Sequence, residues 1–313
     1  MGAVTVLVTG AAGFIGRALV RRMATEGRPA RLAVRSATDL PGAIVRVGDI
    51  GPDTDWRAAL AGVDAVIHLA GRAHILRGEA DALAKFRRVN AAGTARLAEQ
   101  ADASGVRRFV LVSSVKAAAD SSRSALSETD SARPATPYGI SKLEGERALH
   151  AAARRMQAVV LRPPLVYGPE VGANFRALLR LVGSGLPLPL GSVANRRSLI
   201  ARDNLVDAIL GALNGPTGVF FVGDGPALST PALIRALASA LGRPARLIPF
   251  PPALLKAAAW ALGRADAADS LLGSLEVDDA AFRAAFGWRA PVAQDAAFAA
   301  VAAWFTGLHA GGA

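Results

Sequence analysis

The stretch VTGAAGFIG, Val8–Gly16, leaves the apolar run Val4–Val8 and enters a helical pattern. It carries Gly10, Gly13 and Gly16 within seven residues. Glycine loses more backbone freedom on folding than any other residue, so three of them between strand and helix imply a close approach to the backbone. Gly10 permits a tight turn, Gly13 lets the chain approach a pyrophosphate, and Gly16 lets the helix pack closely on the strand. The N–H groups and dipole of the helix start, at Phe14 and Ile15, then face the phosphates. The spacing alone also fits a ligand-free glycine turn, so the surrounding pattern has to decide.

That pattern alternates short apolar runs with longer amphipathic ones. Val4–Val8, Arg31–Val34, Ile44–Val47, Ala65–Leu69, Phe109–Ser113, Val159–Leu161 and Gly218–Val222 read as strands. Phe14–Glu26, Trp56–Leu60, Ala82–Ser104 and Tyr138–Met156 read as helices. Strands separated by helices imply parallel pairing with right-handed crossovers, hence an α/β, doubly wound, Rossmann-type sheet. After Pro169 the texture changes to proline-rich and helical. The expected division is residues 1–168 with 200–227 as the dinucleotide-binding unit, and 169–199 with 228–313 as a smaller, mostly helical substrate unit.

Composition narrows the function. There is no cysteine, which excludes disulfides, thiolate metal sites and cysteine nucleophiles. Four scattered histidines give no metal site. No apolar run is long enough for a membrane span, and the early first strand leaves no secretory leader, so a cytoplasmic protein is expected. The charge of +11 comes from scattered arginines, and aromatics are 5%, a poor composition for binding nucleic acid. A basic cleft for a pyrophosphate ligand uses such charge better.

Further motifs join the glycines: GDI (Gly48–Ile50), HLAG (His68–Gly71), RVNAAGT (Arg88–Thr94), VSS (Val112–Ser114), YGISK (Tyr138–Lys142), RPPLVYGP (Arg162–Pro169) and FGWRAP (Phe286–Pro291). Together they resemble the extended short-chain dehydrogenases/reductases, within the NAD(P)-dependent nucleotide-sugar epimerase/dehydratase superfamily, over nearly the whole chain. GLPLPLGSVANRRSL followed by DNLVDAI resembles most the branch that works at C4 of UDP-N-acetylquinovosamine and its 4-keto-6-deoxy precursor.

Tyr138 and Lys142 are four apart and share a helix face. A lysine cation beside a phenol is expected to lower its pKa and make Tyr138 an acid/base for a substrate hydroxyl or ketone. By resemblance Ser114 hydrogen-bonds the reacting oxygen, with Ser113 the neighbouring alternative. Asn90 orders the cofactor site or makes a helix-interior contact. His68 reads as a packed side chain. The cofactor residues implied are Gly10, Gly13, Phe14, Ile15, Gly16, Arg35, Asp49, Ile50, Leu69, Ala70, Gly71, Asn90, Val112, Tyr138, Lys142 and Pro164. Asp49 would meet the adenine amine. No carboxylate ends the second strand, and Arg35 suits a ribose 2′-phosphate, so NADP is expected, with NAD the alternative and an exposed loop arginine the third reading.

For the substrate, the resemblance implies a UDP-sugar with its diphosphate at Asn174 and Arg197, Arg196 being the adjacent candidate for solvent. Leu188 and Leu190 would form an extended edge lining the uracil pocket. The family's later R-x-G-D run is missing, which leaves Arg264 as a substitute arginine. Val115 and Lys116 stand where 4,6-dehydratases resemble one another in an acidic pair, so dehydration is disfavoured. Lys116 either contacts the sugar or faces solvent. What remains is oxidoreduction at C4: reduction of a 4-keto-6-deoxy-hexosamine, with UDP-hexose 4-epimerisation on tightly bound NAD as the alternative. A non-catalytic NADP(H)-binding scaffold is the second alternative. A homodimer through the Ala82–Ser104 and Tyr138–Met156 helices is implied as well.

Overall fold

A computed structural model describes residues 4–73, 81–263 and 265–310. The first part runs β1 (Val6–Thr9), α1 (Phe14–Thr25), β2 (Ala30–Val34), β3 (Ala43–Arg46), α2 (Arg57–Leu60), β4 (Ala65–His68), α3 (Ala82–Phe86), α4 (Gly93–Ala103), β5 (Arg108–Val112), α5 (Pro137–Ala152) and β6 (Gln157–Arg162). There follow β7 (Leu165–Tyr167), α6 (Ala173–Gly183), β8 (Leu199–Ala201), α7 (Arg202–Gly211), β9 (Gly218–Phe221), α8 (Thr230–Ala240), α9 (Pro252–Ala261), α10 (Ala265–Leu272), α11 (Ala280–Phe286) and α12 (Gln294–Ala310).

Seven strands form one sheet in the order β3-β2-β1-β4-β5-β6-β9. Every pair is parallel, in the register Val6↔Ala30, Val6↔Ala65, Ala65↔Arg108 and Arg108↔Gln157. The chain order reverses between β1 and β4, so the crevice beyond Thr9 and His68 is the switch point where ligands bind in such sheets. Alternation along the strands feeds two cores. Val6, Val8, Leu32, Ile67, Val110 and Leu161 pack toward α1 and α7. Leu7, Ala33, Val66, Phe109 and Val160 pack toward Trp56 and Leu97 on the other face. A separate core gathers Tyr167 and Phe175 with residues of α8 and α12.

Four details depart from the sequence reading. The helix expected over Ala82–Ser104 is divided into α3, a wider π turn at Arg87–Ala92, and α4. A Cβ on Gly145 of α5 would lie 2.2 Å from the Asn90 carbonyl oxygen, so α5 sits directly against this turn. The helix expected to reach Met156 ends at Ala152, because Asp102 Oδ1 accepts the amides of Arg154, Arg155 and Met156. The parallel pair β7 and β8 is new, being three residues each and too short for a period to register. Phe282 and Trp288, assigned on the sequence to the helical unit, pack in the first core, where Phe282 and Phe286 meet Phe220 of β9 edge to face.

Candidate active site

The β1–α1 turn has the geometry its glycines imply. Gly10 has φ +70°, and a Cβ there would lie 2.7 Å from the Ala70 amide nitrogen. A Cβ on Gly16 would lie 2.1 Å from the Gly10 carbonyl oxygen, and one on Gly13 3.2 Å from it. Gly13 is the N-cap of α1, and no side chain caps that end. Bare N–H groups therefore open at the carboxyl edge of the sheet, a donor set that fits a pyrophosphate. Phe14 and Ile15 are half-buried behind the turn, Phe14 under the Arg202 guanidinium at 5.6 Å.

The far side of the crevice is Leu69–Gly71. Thr9 Oγ1 accepts the Ala70 amide at 3.2 Å. His68 is the packed side chain expected: its ring nitrogens meet Thr9 Oγ1 at 2.6 Å and Thr94 Oγ1 at 3.1 Å, and burial drops its pKa to about 3. Asn90 is buried in the π turn. Its Oδ1 accepts the Arg72 amide at 2.8 Å, and its Nδ2 donates to the Arg72 carbonyl and to Ser141 Oγ. It thus ties the loop after β4 to α5. At the other end, Arg35 and Asp49 are both largely exposed and face each other at 3.5 Å. Half-buried Ile50 backs α4, its Cγ2 2.7 Å from where a Gly93 Cβ would be.

Tyr138 stands in the first turn of α5, which Thr136 caps by accepting the Gly139 amide. Lys142, one turn on, is buried and donates to the Val112 carbonyl at the end of β5, at 2.9 Å. Burial lowers its pKa to about 8, and the Glu146 charge pulls the other way. Burial raises the Tyr138 phenol above its ordinary value, and a hydrogen bond with Ser114 only partly offsets that. The direction differs from the lowered pKa expected for Tyr138: desolvation raises it, and the phenol carries its proton at neutral pH. Phe86 meets its ring edge to face at 5.8 Å.

Ser113 and Ser114 are separated by their partners. Buried Ser113 donates to Glu146, itself in a buried pair with Arg162 at 2.6 Å. Ser114 caps the short turn Val115–Ala117, accepting the Lys116 amide at 3.2 Å, and faces Tyr138. Buried Pro164 follows β6, next to Pro163, whose carbonyl accepts the Val115 amide.

Residues 6–223 match the NAD dependent epimerase/dehydratase family. The chain belongs to this family. It is 39% identical over 298 residues to a UDP-glucose 4-epimerase of Vibrio cholerae, covering 92% of this chain and 91% of that one. It is 31% identical over 257 residues to a ceramide reductase of Caulobacter vibrioides, covering 79% and 73%. Among solved structures it resembles MoeE5 in complex with UDP-glucuronic acid and NAD, with a TM-score of 0.79 and 25% identity over 98% of this chain and 100% of that one.

The residues expected on the substrate side are scattered. Arg196 points outward to Glu276 at 2.6 Å. Arg197 is half-buried, and its guanidinium donates to the Gly273 carbonyl at 3.1 Å. Burial lowers its pKa, and no carboxylate pairs with it among the described residues. Asn174 is exposed in the first turn of α6. Leu188 stands in an extended stretch, bridged in parallel to Leu247. The Leu188 and Leu190 side chains are both buried in the helical core, and Leu188 is hydrogen-bonded to Arg246 and Ile248. Lys116 is directed to Asp120, at 3.1 Å. Arg264 lies outside the described residues.

Several supporting residues escaped the sequence reading. Glu146 follows Lys142 by one helical turn, a spacing that could have flagged it. Asp120 accepts the amides of Ala135 and Thr136 besides holding Lys116, and so fixes the start of α5. Gly139 and Gly145 lie inside a helix, where glycine signals a close neighbour. A Cβ on Gly139 would stand 2.3 Å from the Lys116 carbonyl oxygen.

Proposed function

We propose that this chain carries out oxidation and reduction at C4 of a UDP-sugar. The observation that carries the reading is the set Tyr138, Ser114 and Lys142 at the carboxyl edge of the sheet, with Val115 and Lys116 in place of an acidic pair. The nicotinamide dinucleotide, when bound over Gly10–Gly16, supplies the acceptor and donor of hydride. Tyr138 gives the proton to a C4 ketone oxygen, or takes it from the C4 hydroxyl, at its phenolic oxygen. Ser114 holds that oxygen and the phenol in one hydrogen-bond line. Lys142, fixed by the Val112 carbonyl, stabilises negative charge on the phenol as the proton moves. Arg197, with no acid of its own, suits the diphosphate.

Two modes share these residues. Epimerisation at C4 is supported by the 39% identity to the Vibrio cholerae UDP-glucose 4-epimerase over 92% of the chain. Net reduction of a UDP-4-keto-6-deoxy-hexosamine, giving UDP-N-acetylquinovosamine, is supported by the Gly185–Leu199 segment followed by DNLVDAI and by a phenol that starts protonated. Incubation with UDP-galactose and no added cofactor separates them from incubation with the keto sugar and NADH or NADPH. Interconversion of UDP-galactose and UDP-glucose without net cofactor change is the expected result. Inertness there, with stoichiometric loss of reduced cofactor on the keto sugar, transfers the reading to the reductase.

NAD is the dinucleotide named for MoeE5. Asp49 facing Arg35 makes that corner less suited to a 2′-phosphate. NADP rests on Arg35 alone, and Arg35→Asp weakening both dinucleotides equally would remove it. A homodimer through α4 and α5 is also proposed from the family resemblance, and a clean monomer in sedimentation at micromolar concentration overturns it.

A further inference from the structure

Helix α9 has the sequence PALLKAAAWA, apolar on every side except at Lys256. A helix apolar all round is normally a buried one. None of the residues of α9 is buried. Leu255 packs against the helical core, while Leu254 and Trp260 face outward at 56% and 76% exposure. The flanks continue the pattern. Leu186, Ile248, Phe250, Leu254, Trp260 and Leu262 are six of the eleven large apolar residues exposed in the described chain. Five of them fall within residues 248–262, and the Leu188–Leu247 bridge brings the Leu186 segment alongside, a concentration that marks an interaction surface.

Charge says what covers it. Residues 243–263 contain Arg243, Arg246 and Lys256, all exposed, and no Asp or Glu. The next acids along the chain are Asp266 and Asp269 in α10, of which Asp269 is exposed. A second copy docking through a two-fold axis would set Arg243, Arg246 and Lys256 against the same three cations, and residues 243–263 hold no carboxylate to answer them. An anionic lipid surface offers what the patch lacks on both counts. It gives a headgroup layer for the three cations and an apolar interior for Trp260, Leu262 and Leu254.

We propose that α9 and its flanks dock this protein on an anionic bilayer. The base of the docking segment is anchored at the candidate substrate side. Asn195 donates to the Leu271 and Gly273 carbonyls at the end of α10, and Arg197 donates to Gly273. Docking through α9 therefore engages the helix that packs on α10, the element at whose end Asn195 and Arg197 are bonded.

The test uses the full chain and vesicles of phosphatidylglycerol with phosphatidylethanolamine, against vesicles of phosphatidylcholine alone. The protein is expected to sediment with the anionic vesicles, to stay in solution with the neutral ones, and to be released as salt is raised. The double variant Trp260→Ser, Leu262→Ser should partition at least about tenfold less, since two apolar anchors are lost. Its circular dichroism and thermal unfolding midpoint without vesicles should match the wild type, which shows that it is folded. Trp260→Phe should keep binding but lose the blue shift of tryptophan emission on adding vesicles. Wild-type protein left in solution with anionic vesicles overturns the proposal. So does equal binding by the double variant, or a vesicle-free dimer that Trp260→Glu converts to monomer. None of these readouts depends on the C4 chemistry, so that reading can fail separately.

Discussion

At the carboxyl edge of the sheet, buried side chains are joined in continuous hydrogen-bonded lines, while on the helical side the Arg197 guanidinium leans on a single main-chain oxygen. On the first side, Thr9, His68, Thr94, Asn90 and Ser141 form one hydrogen-bonded line, and Ser113, Glu146 and Arg162 another. On the second, Asn195 and Arg197 donate to the carbonyls of Leu271 and Gly273. The sheet half is held in its working arrangement before any ligand arrives. The helical half keeps an arginine, Arg197, with which no carboxylate pairs among the described residues. On the proposed reading, chemistry is fixed on one side and recognition left open on the other.

The largest effect should come from the fixed side. Tyr138→Phe removes one hydroxyl and should lower kcat roughly a thousandfold, with dinucleotide binding nearly unchanged in titration. Wild-type turnover in that variant would take the proton transfer away from Tyr138. The two sides should then part in kind. Glu146→Gln leaves Arg162 buried and unpaired, and should cost about 3–5 kcal/mol in denaturant unfolding. Arg197→Ala should leave stability almost unchanged and raise KM for the nucleotide sugar roughly tenfold to a hundredfold. Equal losses of stability in both would erase the contrast.

A smaller, graded effect concerns pH. Burial holds Lys142 at about 8, below its ordinary 10.5. Between those values the unfolded chain binds more protons than the folded one. The contribution of Lys142 to stability therefore rises with pH across that window. Its charge is lost over the same range, so kcat should fall as pH rises through about 8. A limb that begins only near the ordinary lysine value would mean that the ammonium is not held dry.

The contrast also explains what could be read in the chain. A backbone approach leaves glycines at short spacing, and proton chemistry leaves Tyr138 and Lys142 one helical turn apart, so both were legible. The seven parallel strands were legible from alternation. The pairing of Ser113 with Glu146, and of Asp120 with Thr136, joins segments 33 and 16 residues apart, which no local pattern encodes. The same holds for Leu188, whose side chain went to the core because residues 246–248 return to pair with its backbone. The raised Tyr138 pKa was misread because spacing reports a neighbour but not the burial of both.

The central claim is that the bond broken on the sugar is the C–H bond at C4. Mass spectrometry on UDP-sugars carrying deuterium at C4, hexose and 6-deoxy-hexosamine in parallel, tests it most directly. The expected result is that deuterium leaves C4 and either returns to C4 of the product or appears on the dinucleotide, with turnover slower than for the unlabelled sugar. Solvent hydrogen entering at C5 while the C4 label stays in place would contradict it.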